Sequence, residues 1–141
     1  SVIRPNGLVS SAEISRAEEL LGVRFSDDYR QFLELYNGGL FREQLIRTEN
    51  DETNVIFLGV GGERDLLHVN QLYLGRIPSG SIVVGMDPGG DLICLSLDQG
   101  GRFGSVYYWR AEDESPGQGL DELIELAGSF SGLLDLLEDD A

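Results

Sequence analysis

The sequence contains no lysine, and all ten of its basic residues are arginine. It holds one cysteine, one histidine, one methionine and one tryptophan in 141 residues. Each scarcity excludes a class of function. Without lysine there is no G-x-x-x-x-G-K-[ST] phosphate-binding loop. Cys94 alone cannot close an internal disulfide, which fits a reducing compartment. A transition-metal site needs more His and Cys than His68 and Cys94 supply. No apolar run approaches the roughly 20 residues that span a bilayer. No charged-then-apolar leader is evident, so nothing points to secretion and the expected location is the cytoplasm.

Positive charge is scarce as well. Twenty-five acids against ten arginines give a net charge of −15. Such a charge repels phosphates, so nucleic acid is not the expected partner, and neither is an anionic membrane surface. The imbalance is uneven. Residues 1–48 carry seven acids and six arginines, net −1, whereas residues 49–141 carry eighteen acids and four arginines, net −14. No linker, repeat or low-complexity tract separates the two regions, so this is asymmetry within one expected domain spanning 1–141. A composition of 41% apolar and 25% charged residues is globular. A chain this long buries roughly 68–70% of its unfolded surface.

Two helices open the pattern. Ser10 and Glu13 have capping-box spacing; Ile14, Ala17, Leu20 and Leu21 follow on one helical face, and Gly22 ends the element. Ser26 is placed to cap a second helix, with Asp27 and Asp28 in the first turn, where the helix dipole favours acids. Tyr29, Phe32, Leu33 and Tyr36 make its apolar stripe, and Asn37, Gly38 and Gly39 stop it. The middle is strand-like. Val55 to Leu58 is a short apolar run, and Leu66 to Leu74 has the spacing of a short helix with Leu66, Val69 and Tyr73 inward. Ile82 to Met86 and Leu92 to Leu97 flank Asp87-Pro88-Gly89-Gly90-Asp91, whose turn chemistry predicts a β-hairpin. A Gly-rich loop from Asp98 to Gly104 leads into Val106, Tyr107, Tyr108 and Trp109, a β-branched and aromatic strand. Leu120, Leu123, Ile124 and Ala127 then read as a helical face continued by Phe130, Leu133, Leu134 and Leu137, with Gly128, Ser129 and Gly132 able to divide it. Helices, clustered strands and a final helix predict an α+β fold with a mainly antiparallel sheet.

The motifs that would carry catalysis are weak. Gly59, Gly61 and Gly62 stop short of a dinucleotide fingerprint, because Arg64 stands where the last glycine belongs. His68 would have to serve any Ser-His-Asp or Cys-His site, and no G-x-S-x-G elbow supplies a nucleophile. Cys94 lies within Leu92-Ile93-Cys94-Leu95, where an apolar setting raises a thiol's pKa and silences it. Asp87 and Asp91 could hold a hard cation or act as a carboxylate pair, but the EF-hand ligand series is absent. Asp at turn ends more often bonds backbone amides. No metal and no cofactor are expected.

Three acidic clusters remain: Glu49-Asp51-Glu52, Glu112-Asp113-Glu114, and Asp135-Glu138-Asp139-Asp140. One reading is a solvated surface that keeps the protein soluble. The other is a docking face, since a field this large costs stability by self-repulsion and speeds association with basic partners. Tyr107, Tyr108 and Trp109 adjoin the second cluster, and alternation along a strand would turn one of them outward. An aromatic with a charged rim is what a protein-binding hot spot needs. The candidate contact residues are Asp87, Asp91, Trp109, Glu112, Asp113 and Glu114.

Several segments carry a family resemblance. Ala17-Glu18-Glu19-Leu20-Leu21-Gly22-Val23-Arg24-Phe25, then Asp28-Tyr29-Arg30-Gln31-Phe32-Leu33 and Tyr36-Asn37-Gly38-Gly39, resemble the opening of the SUKH superfamily. Ile77-Pro78, Val84-Gly85-Met86-Asp87-Pro88-Gly89-Gly90-Asp91 and Gly104-Ser105-Val106-Tyr107-Tyr108-Trp109 resemble its middle strands. Ala127-Gly128-Ser129-Phe130 with Leu133 and Leu134 resemble its last helix. Phe25-Ser26 departs from the family's frequent Leu-Pro. The resemblance implies an α+β domain without catalytic residues. It implies a bacterial immunity protein that neutralises a cognate polymorphic toxin, often a nuclease, by direct binding. The alternative it allows is a regulatory interaction hub, like the eukaryotic cell-wall synthesis regulators, with no toxin partner. The acid excess adds that the toxin domain is basic.

Overall fold

The computed structural model describes residues 7–39, 45–47, 52–62 and 64–138. Helix α1 (Ser11–Leu21) starts in the expected capping box: Glu13 N donates to Ser10 Oγ and Ser10 N to Glu13 Oε1, both at 3.1 Å. Gly22 closes it at φ 70°, a conformation that costs a Cβ-bearing residue energy. Ile14 and Ala17 are buried, but Leu20 is 58% exposed. At 100° per residue Leu20 stands well away from the centre of the Ile14–Ala17–Leu21 stripe, so it falls outside the covered face.

Helix α2 (Asp27–Leu35) begins after Ser26 as expected, but the Ser26 hydroxyl does not cap it. Instead Ser26 Oγ donates to Asp28 Oδ1 at 2.8 Å, and the same oxygen accepts from Tyr29 N at 2.8 Å. A carboxylate is the stronger acceptor and takes over the first turn. Asp28 Oδ2 accepts from Ser131 N at 3.0 Å and Ser131 Oγ at 3.2 Å, which ties α2 to helix α4 (Phe130–Glu138). Burial works to raise the Asp28 pKa, but the bonds from Ser131, Ser26 and Tyr29 outweigh it and hold the carboxyl below its usual range.

Five antiparallel strands form the sheet in sequence order: β3 (Ile56–Phe57), β4 (Ser81–Met86), β5 (Leu92–Ser96), β6 (Val106–Trp109) and β7 (Ile124–Ala127). A separate ladder pairs β1 (Leu45–Arg47) with β2 (Glu52–Asn54), and α3 (Leu66–Leu72) packs against β4. The fold is α+β, as the sequence predicts. The predicted hairpin is present, with Met86 opposite Leu92. All five β5 residues are buried, so both faces of the sheet centre are covered. Tyr29, Phe32, Phe57 and Phe130 join α2, β3 and α4 through ring contacts of 4.9 to 5.7 Å.

The C-terminal segment departs from the helical reading. Leu120–Glu122 is a 3-10 turn, residues 124–127 are strand β7, and α4 starts only at Phe130. The backbone of β6 needs a partner on its far side, and this demand overrides the i, i+3, i+4 spacing. Ile124 is consequently 40% exposed rather than buried on a helical face. The division at Gly128 and Ser129 falls where those residues allow it.

Candidate partner-binding surface

The site is built from a turn upward. Asp87 and Asp91 close the β4–β5 hairpin, where Asp87 N donates to Asp91 O at 3.0 Å and Asp91 N to Asp87 Oδ1 at 2.9 Å. Tyr108 on β6 reaches both acids, with its hydroxyl 2.8 Å from Asp91 Oδ2 and 3.1 Å from Asp87 Oδ2. Burial first, and then the two carboxylates, raise the Tyr108 pKa and keep the phenol protonated. Asp91 Oδ1 accepts from Ala111 N at 2.9 Å and so fixes the start of the 3-10 turn Ala111–Asp113. The two hairpin acids are therefore engaged inside the protein, Asp87 buried and Asp91 partly so.

The same turn is anchored from its other side. Trp109 Nε1 donates to Gln118 Oε1 at 3.1 Å, and Gln118 Nε2 reaches Asp113 O at 3.4 Å. Trp109 is 0% exposed and meets Tyr73 edge-on at 5.9 Å. All four β6 residues are buried, so none of the aromatics turns outward as alternation alone would have it, because both faces of this interior strand are covered. Arg76 packs over Tyr73 and forms a bidentate pair with Glu114 at 3.0 and 2.9 Å. That pair lowers the Glu114 pKa and raises that of Arg76.

The six candidate residues thus come together in one region but divide by exposure. Glu112, Asp113 and Glu114 are exposed, with Glu114 neutralised by Arg76; Asp87, Asp91 and Trp109 support the segment that carries them. The result is a loop anchored by side-chain hydrogen bonds from both sides that presents carboxylates to solvent. Tyr108, Gln118 and Arg76 are the participants that sequence reasoning missed. Tyr108 was within reach as the neighbour of Trp109. Arg76 lies 38 residues from Glu114, and nothing local links the two.

Of the other candidates, Glu49, Asp51, Asp139 and Asp140 lie outside the described residues. His68 is exposed on α3. Cys94 is fully buried, and burial pushes its thiol up to about 12. Among the described residues no three or more His, Cys, Asp or Glu group in a way that could hold a metal ion, and no helix is long and apolar enough to cross a membrane. A groove of about 1020 Å³ opens at the other end of β4 and β5, near Gly80 and Ser96. Its two arginines are already occupied, Arg76 by Glu114 and Arg102 by Asp121.

The family profile described as SMI1 / KNR4 family (SUKH-1) matches residues 8–136. None of the curated proteins compared with the chain matches it.

Proposed function

Since the chain belongs to the SMI1 / KNR4 family (SUKH-1), we propose that it is a cytoplasmic immunity protein that neutralises a cognate toxin domain by direct contact. On this reading the chain is a single binding domain, performs no catalysis and needs no cofactor. The toxin is basic, and a nuclease with a positive cleft fits best. Acidic side chains then occupy the place of substrate phosphates and speed association. Glu112 and Asp113 make the outermost contacts, with Glu114 beside them. Asp87, Asp91 and Trp109 contribute by holding the loop in its docking conformation.

The observation that carries this reading is charge. Residues 111–141 contain ten acids and no basic residue, and they include the anchored loop. The test is to express the product of the neighbouring reading frame and assay its toxic activity with and without this chain. The expected result is stoichiometric inhibition of a basic toxin domain. Unimpaired toxin activity at excess chain would refute the proposal. Tight binding to a non-toxic partner encoded elsewhere would favour the regulatory hub instead.

A further inference from the structure

The two edges of the sheet are treated differently. On the β3 side the edge is closed. Gly39 pairs with Phe57 through two backbone bonds of 2.9 Å, and the Asn70 carboxamide binds Val83 N and O at 2.8 and 2.9 Å, as a neighbouring strand would. On the other side, among the described residues, no strand pairs with the outer edge of β7.

The hydrogen-bond register shows which β7 groups face outward. Ser96 directs its N–H and C=O toward β6, bonding Ser105 O at 2.9 Å and Gly104 N at 2.7 Å. Two-residue alternation turns Cys94 and Leu92 the same way, so their partners Tyr107 and Trp109 point back at β5. Tyr108 therefore bonds toward its β7 partner Ile124, and the next residue, Glu125, falls at the outward-facing position of the ladder; the register shift between Tyr107 and Val106 breaks the alternation only beyond it. Exposed Glu122 and Glu125 lie at this edge, Asp121 beside them is already paired with Arg102, and the half-exposed Ile124 side chain adds an apolar contact.

We propose that the outer edge of β7 accepts an extended basic segment of a partner protein as a sixth strand. Backbone bonds to Glu125 would set the register, and arginine or lysine side chains would meet Glu122 and Glu125. The occupant is identified by charge complementarity, because the acidic stretch that includes β7 would repel a second copy of itself. The inference rests on the proposed function for the basic character of its partner, and it adds a recognition mode.

The probe is a fluorescent peptide of alternating arginine and valine, compared with a peptide of equal charge in which proline replaces valine. The alternating peptide is expected to bind at low salt at least about tenfold more tightly, since the proline peptide cannot ladder. Hydrogen exchange at the Glu125 amide should slow by a similar factor in the complex. In the protein, Glu125→Pro removes an N–H that β6 does not use, so the sheet is retained. It should weaken binding about tenfold, well beyond Glu125→Gln, which removes only the charge. Equal binding of the two peptides, or an unprotected Glu125 amide in the complex, overturns strand addition even if Glu125→Pro fails to fold. If Glu125→Pro folds and still neutralises the toxin as well as the parent protein does, the strand-addition proposal falls and the immunity function stands. If the alternating peptide ladders onto β7 but the toxin is not inhibited, the reverse holds.

Discussion

Replacing Tyr108 by phenylalanine isolates the bond that holds the acidic loop to the hairpin. The ring stays in place, so no cavity forms, and only the hydroxyl is lost. That hydroxyl has one proton and two carboxylate acceptors, at 2.8 and 3.1 Å, so it makes one strong bond at a time. A hydrogen bond to a charged group contributes about 1.5–3 kcal/mol, which sets the expected loss at about 2 kcal/mol. Asp87 and Asp91 would also lose the donor they share. With a urea dependence of about 2 kcal/mol/M, the unfolding midpoint should fall by about 1 M. The alkaline limb gives a second readout. The folded-state pKa of Tyr108 is raised, so its contribution is complete below the unfolded value near 10 and is lost as pH rises beyond it. Tyr29, raised by burial alone, titrates in the same direction and remains in the variant. Tyr108→Phe should therefore lose less stability than the parent protein between pH 9 and 11. A loss under about 0.5 kcal/mol at neutral pH, with an unchanged alkaline limb, would refute the reasoning.

Other substitutions test neighbouring parts of the account. Cys94, with its thiol near 12, should react with iodoacetamide at pH 8 at least about a hundredfold more slowly in the native protein than in denaturant, followed by mass spectrometry. In Gly85→Ala the new Cβ would meet Val55 Cγ1 at 3.0 Å, and urea titration should show a loss of about 1–3 kcal/mol. Glu18 accepts from Phe25 N at 2.7 Å and Arg30 Nη1 at 2.8 Å; Glu18→Ala should cost about 1–2 kcal/mol in the same assay by removing the acceptor of Phe25 N, while Arg30 keeps Ser11, Ser15 and Glu34. The Glu112→Gln, Asp113→Asn double variant should keep its stability within about 0.5 kcal/mol and slow association with the toxin domain severalfold at low salt, as read by stopped-flow.

The N-terminal helices and the central hairpin were legible because their signals are local. Ser10 with Glu13, Gly22, and the Asp87–Asp91 turn each determine backbone geometry within a few residues. Strand β7 was not legible. Its spacing suits a helix, and what makes it a strand is the unsatisfied edge of β6, a requirement set far away in the chain. The site divides along the same line. The acidic loop and its neighbouring aromatics stand out as a composition, and their assembly in one region follows from the sheet order. Which of them face solvent depended on Tyr108, Gln118 and Arg76, whose side-chain hydrogen-bond partners lie between 5 and 38 residues away. The inward position of Trp109 follows from the covering of both sheet faces, which strand alternation alone does not reveal.

The central claim, recognition of a basic toxin through an acidic surface, is tested most directly by the association rate constant with the toxin domain as ionic strength is raised. The account predicts fast association that slows steeply between about 0.02 and 0.5 M salt, as screening shortens the reach of the field. A rate constant that stays flat across that range would contradict it.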